Sequence, residues 1–306
     1  MSLVSIVVAA YNEEANVARI YQEIRGVLER DKQNWEVIFV DDGSTDGTAG
    51  MVRSIRAQDQ RVRLVKLARN FGNQAAFLAG LHAARGDAVI TMDCDLQHPP
   101  SEIPRMLAAW RQGSSAVEMV RRRNPDAGLL ERLTSKIFHL LLRKLTDLPL
   151  VEGAGDFRLM DRKIVDLMLR FGEPRPFYRG MLPWIGVPAA YLEYDAGPRA
   201  AGRSSIRFRR RLLLSLDAVT ALSIKPLRAA FFLGFCALAV FLAYSVVVLV
   251  ERMMGRSVPG YPTIILAMVL LAAVQLISIG ALGEYIGRIH EQSRRLPPFI
   301  VFEKDE

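Results

Sequence analysis

A chain of 306 residues with a formal net charge of +8 is 51% hydrophobic and 24% charged. These values exclude a disordered or collagen-like polymer and leave one large domain or two smaller ones. The average conceals a split, because residues 1–225 have the composition of a soluble α/β protein whereas 229–283 is largely uncharged and apolar.

Leu3–Ala9 is a first predicted strand, followed by the turn Ala10-Tyr11-Asn12-Glu13-Glu14 and a helix from about Ala15 to Arg30. Glu36–Val40 is a second strand that ends in Asp41-Asp42-Gly43-Ser44-Thr45-Asp46-Gly47, with a helix to about Gln58. Val62–Leu67 is a third strand, and Asn70-Phe71-Gly72-Asn73 leads into an Ala-rich helix ending near Arg85-Gly86. Ala88–Met92 is a fourth strand, apolar enough for the centre of a parallel sheet, and it runs into Asp93 and Asp95. A buried ionised carboxylate is very costly, so the strand must end there. Strands alternating with helices of this length indicate parallel βαβ units. Three polar, acidic or Gly-containing turns and the Asp93/Asp95 pair then share one sheet edge, where open α/β sheets bind ligands.

The chain contains neither G-x-G-x-x-G after its first strand nor a Walker loop. The turns offer carboxylates, which recognise hydrogen-bond donors or hold a cation. Two hard oxygen ligands one residue apart suit Mg²⁺ or Mn²⁺, especially an ion that also holds substrate phosphates. A nucleotide with metal-bridged phosphates meets both requirements. His98, before Pro99-Pro100, has the setting of a structural loop histidine more than of a ligand.

After a helix to about Gln112, Ala116–Val120 is a further strand. Residues 128–145 carry a Leu/Ile stripe flanked by Arg132, Lys136, Arg143 and Lys144, and 207–228 repeat the theme. Such helices either pack on the protein with a solvated basic side or lie on anionic lipid. Ala229–Val250 and Ser257–Gly283 contain no charged residue. About 20 residues span a hydrocarbon core, so two transmembrane helices are expected, at about 229–250 and 261–283. Basic clusters beside such segments fit a membrane surface, and nucleic acid is not expected as a partner. The short loop Glu251–Gly260 holds only Arg252 and Arg256, while the flanks carry Lys225, Arg228, Arg288, Arg294 and Arg295. This bias puts both termini in the cytoplasm, as does the lack of a signal peptide. Gln275 and Ser278 are expected to hydrogen-bond to the neighbouring helix or to lie near a headgroup. Cys94 and Cys236 sit in surroundings too different for a disulfide.

Val8-Ala9-Ala10-Tyr11-Asn12-Glu13-Glu14, Val40-Asp41-Asp42-Gly43-Ser44-Thr45-Asp46, Arg69-Asn70-Phe71-Gly72 and Met92-Asp93-Cys94-Asp95-Leu96-Gln97 together resemble family 2 glycosyltransferases of the GT-A fold. Gly155-Asp156-Phe157-Arg158-Leu159, Ala201-Gly202-Arg203-Ser204 and Gly283-Glu284-Tyr285-Ile286-Gly287-Arg288 narrow the resemblance. They look like the bacterial polyprenyl-phosphate glycosyltransferases with two transmembrane helices, relatives of dolichol-phosphate mannose synthase. The resemblance implies a GT-A-like, mostly parallel sheet flanked by helices over 1–206, a basic juxtamembrane helix at 207–228, two spans within 229–283 and a cytoplasmic tail at 284–306. It implies nucleotide contacts at Ala10, Tyr11, Glu13, Asp41, Asp42 and Cys94, a Mg²⁺ or Mn²⁺ site at Asp93 and Asp95, and acceptor chemistry at Asp156. Phosphate or acceptor contacts are implied at Gln97, Arg121, Arg132, Arg158, Arg203 and Arg207. Ser205-Ile206 stands where relatives carry Lys-Tyr, so Arg203 or Arg207 is the candidate replacement cation.

The implied reaction is inverting transfer of a hexose from a nucleotide sugar, UDP-glucose or similar, to polyprenyl phosphate at the bacterial cytoplasmic membrane. Spans of this kind could also pack against copies of the same chain in a homo-oligomer. A processive polysaccharide synthase should carry Q-x-x-R-W and more spans, neither of which is present. A nucleotidyltransferase lacks its Gly-rich signature here, and the intact acidic positions argue against a non-catalytic membrane scaffold.

Overall fold

The computed structural model describes residues 2–122, 151–170, 178–196, 223–255, 260–294 and 296–304. The chain divides into two compact units, and the C-terminal residues 296–304 belong to the first, with the N-terminal part of the chain.

Among the described residues the first unit is built on one eight-stranded sheet. The strands are β1 (Leu3–Ala10), β2 (Asn34–Asp41), β3 (Val62–Leu67), β4 (Ala88–Asp93), β5 (Ala116–Arg121), β6 (Ala154–Asp161), β7 (Ala189–Tyr194) and β8 (Val301–Lys304). Their spatial order is β7-β5-β6-β4-β1-β2-β3-β8. β1 pairs in parallel with both β2 and β4, β2 with β3, and β5 with β7. β6 is antiparallel to β4 and β5, and β8 is antiparallel to β3. The sheet is therefore mostly parallel, as expected. Its chain order reverses at β1, with β2 added on one side and β4 on the other, the switch point at which such sheets open a ligand crevice.

Helices α1 (Glu14–Arg30), α2 (Thr48–Arg56), α3 (Asn73–Ala83), α4 (Ile103–Arg111), α5 (Arg162–Leu169) and α6 (Tyr178–Ile185) cover the sheet. β1 shows why its sequence is apolar throughout. Val4, Ile6, Val8 and Ala10 face one core cluster with α1 residues Ile20, Ile24 and Leu28, while Val7 and Ala9 face another with Ala76 and Phe77 of α3. A strand covered on both faces loses the polar alternation of a half-exposed one.

The first five strands and four helices match the predicted elements to within a few residues. β8 was not anticipated: part of the stretch read as a tail is a strand of the sheet. Arg53 holds it through Glu303, with its Nη2 2.6 Å from Oε2.

In the second unit, α7 (Lys225–Met253) and α8 (Tyr261–Ser293) are long enough and apolar enough to cross a membrane. Their large apolar side chains, such as Phe231, Leu242 and Ile277, are exposed. Ser278 bonds within its own helix, donating to the Val274 carbonyl at 2.8 Å. The Tyr285 hydroxyl donates to the Ser223 carbonyl at 2.5 Å and so ties α8 to the residues just before α7.

Candidate active site

The C-terminal ends of β1, β2 and β4 carry turns that are bonded to one another. The β1 ladder continues past its strands, with Asp42 N–H donating to Ala10 O at 2.9 Å and Cys94 N–H to Ala9 O at 3.1 Å. The Asn12 N–H donates to Ser44 Oγ and its side-chain oxygen accepts from Thr45 N–H, each at 2.9 Å. Glu13 N–H reaches Thr48 Oγ1 at 2.9 Å, and Gly47 N–H reaches Glu14 Oε2 at 3.0 Å. Tyr11 stands out of this braced surface, 45% exposed. The exposed Tyr11 ring leaves room for a flat ring to lie against it, while Glu13, just before α1, already accepts from Asn16 Nδ2 through Oε2.

The two adjacent aspartates of β2 do different work. Asp41 is fully buried; one oxygen accepts from Ser44 N–H at 2.9 Å and Oδ2 has no hydrogen-bond partner among the described residues. Such an unmade buried acceptor calls for a donor, and a ligand N–H or hydroxyl could supply it only after the oxygen is uncovered. Asp42 is also buried, and its two oxygens accept from Phe71 and Gly72 N–H, each at 2.8 Å. It holds the turn after β3, so a direct nucleotide contact is not its first task. Burial nonetheless pushes the Asp42 carboxyl up against the pull of those two bonds. Gly43 between the turns has φ +70°, and a Cβ there would lie 2.4 Å from the Arg69 carbonyl carbon, so only glycine lets the two turns approach.

At β4 the Asp93 Oδ1 accepts from Asn73 Nδ2 at 2.8 Å, and Asp95 Oδ1 accepts from Gln97 N–H at 3.1 Å. Leu96 takes φ +64° and Asn12 φ +55°, left-handed conformations that are uncommon outside glycine and tend to cluster at functional sites. The Cys94 side chain turns into the hydrophobic core, where burial raises its thiol far above the usual range. Any nucleotide contact at that position therefore runs through its backbone. His98 is buried, stacked on Phe157 with centroids 5.0 Å apart, and its Nδ1 accepts the Asp93 N–H at 2.9 Å. That nitrogen is thus taken from any ion, which supports the structural reading of His98.

Burial drives the Asp93 carboxyl upward; His98 opposes this, while Asp156 and Asp95 add to it. Carboxylates crowded in this way are stabilised by a cation. Among the described residues no group of three or more His, Cys, Asp or Glu encloses an ion. An ion here would rest on the hard oxygens of the Asp93/Asp95 pair and would take the rest of its shell from phosphate oxygens and water, as Mg²⁺ and Mn²⁺ do.

β6 runs antiparallel to β4, so its first residues lie at the same edge as the last of β4. The ladder ends with Thr91 paired to Arg158, and Asp156, two residues before Arg158, is near enough to Asp93 for its charge to act on that carboxyl. The Thr91 hydroxyl donates to the Asp156 carbonyl at 2.6 Å. The Asp156 carboxylate is 3% exposed and takes a bidentate pair from Arg179, Nε to Oδ1 at 3.0 Å and Nη2 to Oδ2 at 2.7 Å. Burial alone would raise this carboxyl, but Arg179 first, then Arg158 and His98, hold it below the ordinary aspartate value.

Arg158 corrects the sequence reading. Its side chain is 1% exposed, with Nη2 donating to Gly155 O at 2.7 Å and Nη1 3.5 Å from Glu118 Oε1, so it cannot bind a substrate phosphate. Gln97 and Arg121 do meet, Nη1 to Oε1 at 3.1 Å. Arg132, Arg203 and Arg207, with the helices expected over 128–145 and most of 207–228, lie outside the described residues. Sequence reasoning missed Asn73, Arg179 and Glu118. Asn73 closes a motif that was recognised, while Arg179 and Glu118 had no local signal.

A switch-point crevice with a carboxylate pair at the end of β4 is the setting in which open α/β sheets bind ligands. The chain belongs to glycosyl transferase family 2, whose model matches residues 5–168. Over 299 residues it is 34% identical to the bactoprenol glucosyl transferase of Shigella phage SfV, covering 97% of each chain. It is 36% identical to the glycosyltransferase YkcC of Bacillus subtilis over 298 residues, 97% of this chain and 92% of that one. Among solved structures it resembles glucosyl-3-phosphoglycerate synthase from Mycobacterium tuberculosis bound to Mn²⁺, UDP-glucose and phosphoglyceric acid, with TM-score 0.51 at 20% identity over 72% of this chain and 78% of that one. It also resembles a mannosyltransferase of Pyrobaculum calidifontis bound to GDP-mannose and Mn²⁺, with TM-score 0.50 at 18% identity over 92% and 86% of the chains. These structural likenesses show the GT-A-like fold.

Proposed function

We propose that this glycosyltransferase moves a hexose from a nucleotide sugar of the UDP-glucose class to polyprenyl phosphate, at the cytoplasmic face of a bacterial membrane and with inversion at the anomeric carbon. The observation that carries this reading is the sequence of sites along one sheet edge. The braced turns of β1 and β2 come first, then the Asp93/Asp95 pair of β4, then Asp156 of β6. A nucleotide, its diphosphate and an acceptor fall in that order. The bactoprenol glucosyl transferase named among the relatives supports a polyprenyl acceptor, and the two apolar helices support a membrane-held enzyme. Two spans in series return the chain to the side it left, and β8, which follows them, is again part of the first unit's sheet. That connectivity supports both ends of the hairpin lying on one side, and the basic flanks Lys225, Arg228, Arg288 and Arg294 support the cytoplasmic one.

Asp93 and Asp95 would hold Mg²⁺ or Mn²⁺, which supplies Lewis-acid stabilisation of the leaving diphosphate. Tyr11, Glu13 and Asp41 hold and orient the nucleotide, Asp41 once its buried oxygen is uncovered, and Asp42 keeps their turns in place. The acceptor's phosphate oxygen attacks the anomeric carbon, and the bond to the diphosphate breaks with its electron pair leaving on the nucleotide. A phosphate monoester has a second pKa of about 6, so at pH 7 the attacking oxygen is mostly ionised already. Asp156 has little proton to remove, and its ion pair keeps it a poor base. It acts as a positioning group.

The test is turnover of nucleotide sugars with and without polyprenyl phosphate, in Mg²⁺ or Mn²⁺ and then in chelator. Lipid-dependent, metal-dependent release of nucleoside diphosphate is expected; release that ignores the lipid overturns the reading. Asp156→Asn, followed from pH 6 to 9, should lose activity by about a hundredfold with no change in the shape of the profile, by the scale of a lost transition-state contact. A loss confined to one limb of the profile would restore Asp156 as a base.

A further inference from the structure

We propose that Arg179 binds the acceptor's phosphate, with Asp156 as the group that holds the Arg179 guanidinium in place; this rests on the reading above. Three observations converge on it. The first is how the guanidinium is shared. Arginine has five N–H donors in a fixed fork. Asp156 accepts from Nε and from Nη2, which leaves three donors that Asp156 does not use. Asp156 is 3% exposed whereas the Arg179 side chain is 53% exposed, so the carboxylate anchors the buried side of the fork and the other side is open, near enough to Asp93 to feel its charge.

The second observation is how firmly the base of Arg179 is fixed. Its neighbour Tyr178 is fully buried as the first residue of α6. Tyr178 N–H donates to Gln74 Oε1 at 3.0 Å, and its hydroxyl donates to Thr91 Oγ1 at 3.1 Å. Its ring stacks on Phe77 with centroids 5.4 Å apart, and the Arg158 guanidinium lies 4.7 Å from its centre on the core side. Thr91 in turn bonds the Asp156 backbone, so the two partners of the ion pair hang from one buried hydroxyl. A surface arginine that merely neutralised a carboxylate would need none of this anchoring.

The third is position. Asp156 stands on the far side of β4 from the nucleotide turns of β1 and β2. A guanidinium there lies beyond the diphosphate clamp, on the flank where an incoming phosphate must enter. That phosphate arrives as a near-dianion among Asp93, Asp95 and Asp156, and a bidentate guanidinium matches its oxygens geometrically.

The experiment compares Arg179→Gln and Arg179→Lys with the wild type in the full-length protein. KM for polyprenyl phosphate, KM for the nucleotide sugar and the melting temperature are all measured. Arg179→Gln should raise the acceptor KM by about tenfold or more, the scale of a lost charge-assisted bond, and leave the donor KM within about twofold. Arg179→Lys should recover part of the loss, since a point charge replaces half of the fork. An unchanged acceptor KM with a lower kcat, or an equal rise in both KM values, overturns the proposal. Calorimetric binding of inorganic phosphate to the wild type and to Arg179→Gln separates the two levels of inference. If the wild type ignores polyprenyl phosphate, the acceptor reading falls. Phosphate binding that weakens about tenfold in Arg179→Gln then still supports a phosphate site at Arg179, and unchanged binding overturns that as well.

Discussion

The two flanks of the crevice are built differently. On the flank proposed for the nucleotide the turns after β1, β2 and β3 hold one another through backbone N–H groups and short polar side chains: Asn12 with Ser44 and Thr45, and Asp42 with Phe71 and Gly72. On the flank proposed for the acceptor the partners are long charged side chains, Arg179 with Asp156 and Arg158 with Glu118. The first flank is a rigid mould made of many neutral or singly charged bonds. The second concentrates charge in a buried row across β4, β6 and β5, where Thr91, Arg158 and Glu118 are register partners. A site that must recognise one nucleotide benefits from shape, while a site that must receive a multiply charged phosphate benefits from fixed charge.

The contrast can be broken most severely on the charged flank. Arg158→Met strands the Glu118 carboxylate, which burial already pushes up and which has one oxygen without a hydrogen bond. Removing one partner of a buried pair is expected to destabilise the fold by about 3–5 kcal/mol, seen in denaturant unfolding of the first unit. Adding Glu118→Leu should recover much of that loss, because two apolar residues leave no stranded charge. Failure to recover would mean that Arg158 is needed for Tyr178 rather than for Glu118.

The nucleotide flank should respond more mildly. Asp42→Asn presents an amide to one of the two N–H groups that the carboxylate now accepts. A cost of about 1–3 kcal/mol is expected, together with a raised donor KM and an unchanged acceptor KM. Outside both flanks, Asp59 gives the smallest effect. Hydrogen bonds from Arg61 above all, and from Tyr21, hold its carboxyl down at about 2. Its folded value is depressed, so the stability it adds is present above about pH 4 and disappears as pH falls towards 2. Solvent screening of a partly exposed pair keeps this to about 1 kcal/mol, visible as a shallower acid limb for Asp59→Asn.

The same contrast explains what was legible in the sequence. Each turn of the nucleotide flank is a short contiguous motif, such as Asp41-Asp42-Gly43-Ser44, whose residues bond within the motif or to the next one. Periodicity located the strands before them, and Asp93 and Asp95 announced the end of β4. The acceptor flank joins Thr91, Glu118, Asp156 and Tyr178-Arg179, which are far apart in the chain and meet only through the register of β4, β6 and β5. A lone arginine inside Phe177-Tyr178-Arg179-Gly180 carries no local sign of the carboxylate it will meet. Arg158 misled for the same reason: it stands two residues from Asp156 on a strand, and period-two geometry places it deeper along the same face, in the core. β8 was invisible because four residues are too few to show a period.

That short last strand has a consequence for how the protein comes into being. Val301–Lys304 completes the sheet along β3, yet a ribosome makes it only after both apolar helices have been synthesised. Until then β3 presents an open row of backbone donors and acceptors, a template for pairing with other chains. A gene shortened before the apolar helices to yield a water-soluble enzyme would leave that row open permanently. Such a protein should self-associate, and appending residues 296–304 by a flexible linker should suppress the association.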